Sequence, residues 1–312
     1  MWLVFTLLCT AAWGAADLFY KKGADPDDKY SHLRTSAIVG LVMGAHAIII
    51  MLVKGIDYDP VNILIYLPVS LMYILSMTVG YFGLRYLELS ISSPVQNTSG
   101  ALVCIMCLVF LGDSLDVLSA VGIVLITAGV FLLGLIEYRA SRREAAGPAD
   151  RKYRSSFVAL LFPIAYCVID ALGTFFDAWY LDDPEATPLR GVTEETLEDT
   201  ANISYELTFL FCSILIFVFI RLIKRERFFT GRRLTLDRSA AALFETGGQF
   251  AYVYAMSGNG AVAAPVVASY CMVSVVLSRI FLKEKLTLKQ YGTVALAVAG
   301  IILLGIAEGL AE

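Results

Sequence analysis

The chain has 312 residues, of which 58 % are hydrophobic and 17 % are charged, and its formal net charge is −4. A soluble domain of this size carries about 25 % charged residues and cannot bury so much apolar surface. The composition therefore excludes an ordinary soluble domain, and the excess apolar surface must face lipid.

Apolar stretches that are long enough to cross a bilayer recur along almost the whole chain. One crossing needs about 20 mainly apolar residues, and the pattern predicts an all-α membrane protein with ten transmembrane helices. The first stretch lacks the basic start and the cleavage site of a signal peptide, so we interpret it as a span. The predicted spans are 2–22, 33–53, 62–84, 91–111, 115–137, 156–180, 202–222, 239–257, 261–281 and 287–307.

Lysine and arginine are concentrated in the loops that follow the odd-numbered spans, with dense clusters at 139–154 and 221–238. The opposite side carries only Lys54 and Arg190. Because basic loops stay in the cytoplasm, we predict a multi-pass plasma-membrane protein with both termini outside. Binding of anionic lipid or nucleic acid is the alternative explanation of the basic clusters. Topology alone explains them, so we predict contact with the lipid bilayer and no nucleic-acid partner.

The second half of the chain repeats the first. Residues 81–134 align with 252–305 without a gap, at an offset of 171 residues. The matched positions that are not leucine include Tyr81/Tyr252, Pro94/Pro265, Phe110/Phe281 and Gly129/Gly300. An odd number of spans in each half inverts the second copy, and inverted repeats are typical of transporters whose solute site lies between the halves. A duplicated scaffold without a transport role is the alternative.

The repeated motifs resemble a known family. Tyr81-Phe-Gly-Leu-Arg-Tyr-Leu-Glu-Leu-Ser-Ile-Ser-Ser-Pro94, Phe110-Leu-Gly-Asp113 and Gly129, with Tyr252 to Pro265, Phe281-Leu-Lys-Glu284 and Gly300, resemble the two copies of an EamA-type repeat of the drug/metabolite transporter superfamily. The resemblance implies two pseudo-symmetric halves of five helices around a central cavity, with alternating access. Combined with the spans, it places the first repeat at 1–137, a basic cytoplasmic linker at 138–155 and the second, inverted repeat at 156–312.

Three acidic residues, Asp17, Asp170 and Glu245, fall inside predicted spans. An ionised carboxylate at the bilayer centre costs about 2.5–3.5 kcal/mol, so each of them must face a partner or a water-filled cavity. Asp17 lies one turn before Lys21, and an interfacial ion pair is the alternative role for it. For Asp170 and Glu245 the alternative is a structural hydrogen bond.

Aromatic residues share helix faces with these acids. Trp13 precedes Asp17 by four residues, and Tyr166 precedes Asp170 by the same spacing, so each pair lies on one face of its helix. A cation is attracted to carboxylates and also to ring faces, the latter by about 0.5–2 kcal/mol per contact. Packing in the core is the alternative role of each ring. The predicted substrate-binding residues are Trp13, Asp17, Tyr73, Tyr81, Asn97, Tyr166, Asp170, Glu245, Gln249 and Tyr252.

These features predict a secondary-active transporter of a small cationic or zwitterionic metabolite, such as an amine, a quaternary ammonium ion or an amino-acid-like solute. No lysine or arginine lies deep in a span, which argues against an anionic solute. Protons are the candidate coupling ions, with Asp17, Asp170 and Glu245 as candidate carriers. The resemblance is compatible with this prediction, since the superfamily includes amine and choline carriers. The alternatives are an exporter of neutral amino acids or metabolites, and a non-transporting scaffold or lipid-flippase component.

The remaining patterns predict no enzymatic activity, no metal and no cofactor. The chain has no Gly-rich phosphate loop and no His-rich metal set, and its six cysteines lie in apolar stretches. Asp113 and Glu284 are predicted to cap the helices that follow them, and His46, alone on an apolar helix, is predicted to pack. The sequence leaves the oligomeric state open between a monomer and a homodimer.

Overall fold

The computed structural model describes residues 1–25, 27–83, 95–144, 157–281 and 286–311. All regular structure in these residues is helical, which confirms the all-α prediction. Two of the helices end in short π-helical segments, whose turns are wider than those of an α-helix. In chain order the helices are α1 (Trp2–Gly23), α2 (Ser31–Lys54), α3 (Val61–Ile65), α4 (Leu67–Gly83), α5 (Ser99–Met106, extended by Cys107–Leu111), α6 (Val117–Glu144), α7 (Phe157–Asp182), α8 (Leu197–Val218, extended by Phe219–Ile223), α9 (Arg232–Ala268), α10 (Tyr270–Phe281) and α11 (Leu288–Ala311).

Seven helical stretches of the described residues are long and apolar enough to cross a membrane, and Leu67–Gly80 and Ser99–Leu111 are shorter apolar helices. The stretch Arg232–Phe281 has 50 residues, more than twice the length that one crossing needs. Its backbone leaves the helical region at Asn259. The chain is therefore a multi-pass membrane protein, as the apolar pattern predicted.

Two helix breaks lie at positions that the repeat relates. Helix α5 starts after a turn at Thr98, and a turn at Ser269, 171 residues later, separates α9 from α10. Thr98 Oγ1 donates a hydrogen bond to the Val95 carbonyl at 2.7 Å. Ser269 Oγ donates to the Val266 carbonyl at 2.6 Å. Such bonds compete with the helical ladder, so the matched hydroxyl groups explain why both helices break at this point.

The helices pack in pairs. Helix α1 packs on α9 and α4 packs on α7, while α2 packs on α8 and α6 packs on α11. The predicted repeat would relate α1 to α7 and α4 to α9, and would thus convert the first pair into the second.

The contact between α6 and α11 depends on small residues. A Cβ atom built on Gly300 would lie 2.6 Å from the carbonyl oxygen of Gly122, and one built on Gly129 would lie 3.0 Å from the carbonyl oxygen of Thr293. The offset of 171 residues converts Gly122 to Thr293 and Gly129 to Gly300, so the two contacts are equivalent. Small residues let helix backbones approach closely in lipid, where packing drives association.

The ends of α6 differ from the prediction. Asp116 caps the helix, since its Oδ1 accepts hydrogen bonds from two amides of the first turn at 2.8 and 3.0 Å. The prediction that Asp113 is the cap is wrong, because the helix begins farther along the chain, and Glu284 lies outside the described residues. Helix α6 continues through Glu144, so the predicted linker begins as helix.

Two glycine-to-alanine substitutions in α11 test the glycine contact between α6 and α11, because they should change the stability of the protein in opposite directions. We expect Gly300→Ala to destabilise the protein by about 1–3 kcal/mol, because the new methyl group overlaps a backbone oxygen. A Cβ on Gly292 of the same helix meets nothing within 4 Å, so we expect Gly292→Ala to stabilise by up to about 1 kcal/mol through helix propensity. Melting temperatures in detergent measure both, and equal shifts would contradict the contact.

The cap of α6 makes stability depend on pH. Hydrogen bonds from the Ser119 side chain and amide hold the pKa of Asp116 below its usual value. A carboxyl with a lowered folded-state pKa stabilises the fold above its unfolded pKa and loses that contribution as the pH falls through the folded value. We therefore expect Asp116→Ala to lower the melting temperature at neutral pH, with a difference that shrinks below about pH 4. Asp113→Ala, which removes a carboxyl outside the cap, should show no such loss.

Candidate functional site

A cavity of about 100 Å³ lies between the helices, several times the space that one water molecule needs. Its wall includes residues on either side of both helix breaks, among them Asn97 and Ser99 in the first half and Ala268 and Tyr270 in the second. A break in a membrane helix is tolerated where the backbone lines a cavity or is buried in protein. The helix breaks at Thr98 and Ser269 therefore both lie beside this central cavity.

Asp170 on α7 is held by hydroxyl groups. Ser99, the first residue of α5, donates from Oγ to Asp170 Oδ2 at 2.8 Å. Tyr166, one turn earlier on α7, and Ser76 on α4 also hydrogen-bond this carboxyl group. Neutral donors orient a carboxylate without cancelling its charge, so Asp170 remains available to a cation in the cavity.

Glu245 on α9 lies against the aromatic residues of α1. The Tyr20 hydroxyl donates to Glu245 Oε2 at 3.3 Å, and Trp13 Nε1 donates to the Glu245 backbone carbonyl at 3.3 Å. The Trp13 indole fills the space in which a side chain at position 248 would lie. Gly248 therefore permits the close approach of α1 and α9 that brings Glu245 to the cavity.

Asp17 on α1 occupies the position that corresponds to Asp170. Its side chain is buried, and Oδ2 has no hydrogen-bond partner. Ser274 of α10 lies against the carboxyl group, and Tyr270, the first residue of α10, is also close. Tyr270 and Ser99 are 171 residues apart. Each acid thus faces the residue that restarts a broken helix.

Aromatic rings cover one side of the cavity. Trp13 lies 5.0 Å from Tyr252 and 6.0 Å from Tyr270 between ring centroids. The Tyr73 ring meets Tyr205 edge-on at 5.8 Å and Tyr252 edge-on at 6.1 Å. These separations are those of interacting aromatic pairs, so the rings form a continuous wall on which a solute can rest.

The wall is acidic. Carboxyl groups from α1, α7 and α9 reach the cavity, and none of the described lining residues is a lysine, arginine or histidine. The arrangement therefore attracts a positive charge and repels a negative one.

The structure brings nine of the ten predicted binding residues to this cavity. Tyr81 lies on α4, but its side chain is outside the described part of the chain. The role of these residues in binding stays a prediction. The nine are Trp13, Asp17, Tyr73, Asn97, Tyr166, Asp170, Glu245, Gln249 and Tyr252.

Several wall residues were missed from the sequence, notably Tyr20, Ser99 and Tyr270. The repeat contained the information for two of them, because Ser99 and Tyr270 are matched positions. Tyr20 lies three residues after Asp17 on α1, and no pattern in the sequence singled it out.

A second, polar cavity of about 370 Å³ lies at the break in α9. Asp113, Asp182, Ser257 and Asn259 are in its wall, and it shares no lining residue with the central cavity. Partial burial, and then the neighbouring Asp182 carboxylate, raise the pKa of Asp113 above its usual value.

Buried arginines connect the two halves at one end of the bundle. Arg34 is 2 % exposed and pairs with Asp28 and, at 2.8 Å, with Glu226. Arg238 is 1 % exposed and donates to the Gly23 carbonyl at 2.9 Å. This arginine network ties the α1–α2 connection to the segment between α8 and α9.

A second network connects the halves at the opposite end of α2. Lys54, the last residue of α2, lies 2.6 Å from Asp199 Oδ2, and the Tyr254 hydroxyl donates to Asp199 Oδ1 at 2.8 Å. This lysine network joins α2, α8 and α9. Polar contacts between the halves therefore lie on both sides of the central cavity.

His46 is not merely packed, contrary to the prediction. Its Nδ1 lies 2.8 and 2.9 Å from the two carboxyl oxygens of Glu206 on α8, and its ring meets Phe250 edge-on. Glu206 is fully buried. The pair holds α2 against α8 away from the central cavity, and the two partners are too distant in sequence for their pairing to be predicted.

The His46–Glu206 contact predicts non-additive effects on stability. We expect His46→Leu alone to cost about 1–3 kcal/mol, because it leaves a buried carboxyl without its partner. The double variant His46→Leu/Glu206→Leu should recover most of that loss, since an apolar pair of similar volume replaces a buried polar pair. Melting temperatures of the two single variants and the double variant complete the cycle. Additive losses would show that the two side chains do not interact.

Comparisons with known proteins agree with the fold. A solved structure described as "Crystal structure of protein" is similar over 100 % of this chain and 98 % of its own, with a TM-score of 0.71 and 14 % sequence identity. At that identity the likeness shows the fold alone. No curated protein matches the chain. The model of the EamA-like transporter family matches residues 1–135 and 204–306. These segments cover most of the chain, which therefore belongs to the EamA-like transporter family, membrane transporters of the drug/metabolite type.

Proposed function

We propose that the protein is a secondary-active transporter of a small cationic or zwitterionic metabolite. The observation that carries the proposal is the central cavity, in which Asp17, Asp170 and Glu245 converge from three helices without a basic lining residue among those described. Three carboxyl groups in a low-dielectric space favour a positively charged occupant, since a contact at 4 Å is worth about 4 kcal/mol at an effective dielectric constant of 20.

The aromatic wall supports a cation with little hydration, such as an amine or a quaternary ammonium ion. Trp13 and Tyr252 present ring faces and edges beside Glu245. A ring face attracts a cation electrostatically, and the attraction is larger when water is excluded. A quaternary ammonium group cannot donate hydrogen bonds, so rings and carboxylates together suit it better than hydroxyl groups alone.

The two halves act as inverted repeats that expose the cavity to each side of the membrane in turn. The matched breaks at Thr98 and Ser269 and the equivalent contacts of Gly122 and Gly129 support this relation. The proposed arrangement has ten spans, in which α9 crosses the membrane once before Asn259 and α10 completes the next crossing. Both termini lie outside the cell, as the distribution of basic residues favours.

The networks at the two ends of α2 are the contacts that alternating access has to break and remake. The arginine network and the lysine network both bridge the halves. An opening at one end separates one set of partners while the other set stays closed. Protons are the candidate coupling ions, because a proton and a cationic solute can neutralise the same carboxyl groups at different times.

A binding assay on the purified protein tests the substrate class. We expect amines and quaternary ammonium ions, from tetramethylammonium to choline, to raise the melting temperature in detergent. The variants Asp170→Asn and Glu245→Gln should each weaken that binding at least about fivefold, because each removes a charge contact worth about 1–4 kcal/mol. Flux of the stabilising solute into proteoliposomes should fall by the same factor at low solute concentration.

The matched control is Asp182→Asn, which makes the same chemical change on an exposed residue of α7 outside the central cavity. It should bind cations as the wild type does. Stabilisation by neutral amino acids and not by cations would instead favour an exporter of neutral metabolites. Unchanged flux in an Asp170→Asn/Glu245→Gln double variant would show that the cavity acids do not take part.

A further inference from the structure

Asp177 is a further buried acidic residue of the bundle, and it takes part neither in the central cavity, nor in the networks at the two ends of α2, nor in the His46–Glu206 pair. Its side chain is completely buried. The Tyr66 hydroxyl donates to Oδ1, while Oδ2 is buried and has no hydrogen-bond partner. Among the described residues no cation pairs with it. This carboxylate accepts one hydrogen bond from a neutral donor, and its other oxygen accepts none. Burying it as a permanent charge would cost far too much free energy.

We propose that Asp177 is a proton-binding site, separate from the solute site, through which transport is coupled to a proton gradient. The inference rests on the proposed function, since it assigns the coupling residue of that transporter. The proton adds to Oδ2 of the Asp177 carboxylate, gives the neutral acid and later leaves from the same oxygen to water. No other bond is formed or broken.

Asp177 lies between the central cavity and the second polar cavity, so a proton on it has a route to each of them. Thr174, one turn earlier on α7, lines the central cavity, and Ala178, the next residue along the chain, lines the second polar cavity with Asp182. Asp177 lines neither cavity. A proton at this point can therefore exchange with the open second cavity on one side and with the central cavity on the other.

A chain of hydroxyl groups lies in the wall of the central cavity, next to Asp177. The Tyr252 hydroxyl oxygen lies 2.7 Å from that of Tyr73, which donates to Thr174 Oγ1 at 3.0 Å. Hydroxyl groups both donate and accept, so this chain can carry a proton along the wall of the cavity that holds Asp170. The chain makes no hydrogen bond to Asp177, and the proposed proton transfer needs a water molecule between Asp177 and the Tyr252 hydroxyl group.

A proton suits this site better than a metal ion. Metal cations such as Ca²⁺ and Mg²⁺ take about six or more oxygen ligands, whereas Asp177 has only the Tyr66 hydroxyl against it. The titratable groups that face it in the described residues are Tyr66, from the joint between α3 and α4, and Tyr252 from α9. Along α7 the nearest acids are Asp170 and Asp182.

The distance between the two sites sets the direction of coupling. Asp170 and Asp177 are seven residues apart on one helix, or about 10 Å at 1.5 Å per residue. An ionised Asp177 attracts a cation in the cavity across the low-dielectric interior, and a proton on Asp177 removes that attraction. The two occupants therefore alternate, and the transporter exchanges a proton for a cation.

Proteoliposomes loaded with acidic buffer and diluted into alkaline buffer with radiolabelled tetramethylammonium test the coupling. This ion is permanently charged, so it neither leaks as a neutral amine nor carries a proton. An outward gradient of one pH unit should drive about tenfold accumulation by the wild type in one-for-one exchange. Asp177→Asn should lose the accumulation but keep exchange of internal for external tetramethylammonium at equal pH. Asp57→Asn, the same change on an exposed residue that lines neither cavity, should keep both.

The results separate the two proposals. Gradient-driven accumulation that persists in Asp177→Asn, or accumulation driven by sodium and not by pH, overturns the assignment of Asp177 alone. A wild type that exchanges no tetramethylammonium overturns the cation transporter and the assignment with it.

Infrared spectroscopy tests the site without transport. The difference spectrum between the wild type and Asp177→Asn should contain the C=O stretching band of a protonated carboxylic acid, and that between the wild type and Asp182→Asn should not. Tyr66→Phe should shift this band, because it removes the one hydrogen bond to Oδ1. A wild type without the band overturns the proposal, even if Asp177→Asn proves too unstable for flux assays.

Discussion

The free-energy cost of holding carboxyl groups inside a lipid-facing bundle governs this structure. A charged carboxyl group is expensive at membrane depth, and the bundle deals with each acid differently. Asp170 and Glu245 line a cavity large enough for water and accept hydrogen bonds from hydroxyl groups. Glu206 is paired with His46. Asp177 accepts a hydrogen bond from one tyrosine, Tyr66. These surroundings suit the acids to different roles. Asp170 and Glu245 can receive a solute, Glu206 holds two helices together, and Asp177 can hold a proton.

Helix breaks and glycines bring the acids to the cavity. The hydroxyl groups of Thr98 and Ser269 end helices beside the cavity, and the residues that follow, Ser99 and Tyr270, face Asp170 and Asp17. Gly248 lets the Trp13 indole reach between α1 and α9. The helix breaks and the close packing at Gly248 therefore both help to form the polar site, and the helix break occurs at the matched position of each half.

Sequence alone predicted the apolar helices and nine of the residues that line the central cavity, because hydropathy and the i, i+4 spacing are local properties. The acid–aromatic pairs of α1 and α7 do face one cavity. The pairing of His46 with Glu206 was missed, since it joins two helices whose register no local pattern records. The cap of α6 was assigned to Asp113 instead of Asp116, as both acids precede the apolar run and only the backbone path distinguishes them. Ser99 and Tyr270 were recoverable from the repeat, but neither stands out as a single residue.

The charge of the cavity connects solute binding to protons. One monovalent cation can neutralise only one of the three carboxyl groups that meet there, and two remaining like charges repel strongly in a low dielectric. Hydroxyl donors from Tyr20 and Ser99 reduce this repulsion without removing it. In the proposed transporter, protons make up the balance, and their number changes when the solute enters or leaves. Asp177, which lies outside the cavity wall between the two cavities, would then hold such a proton without displacing the solute.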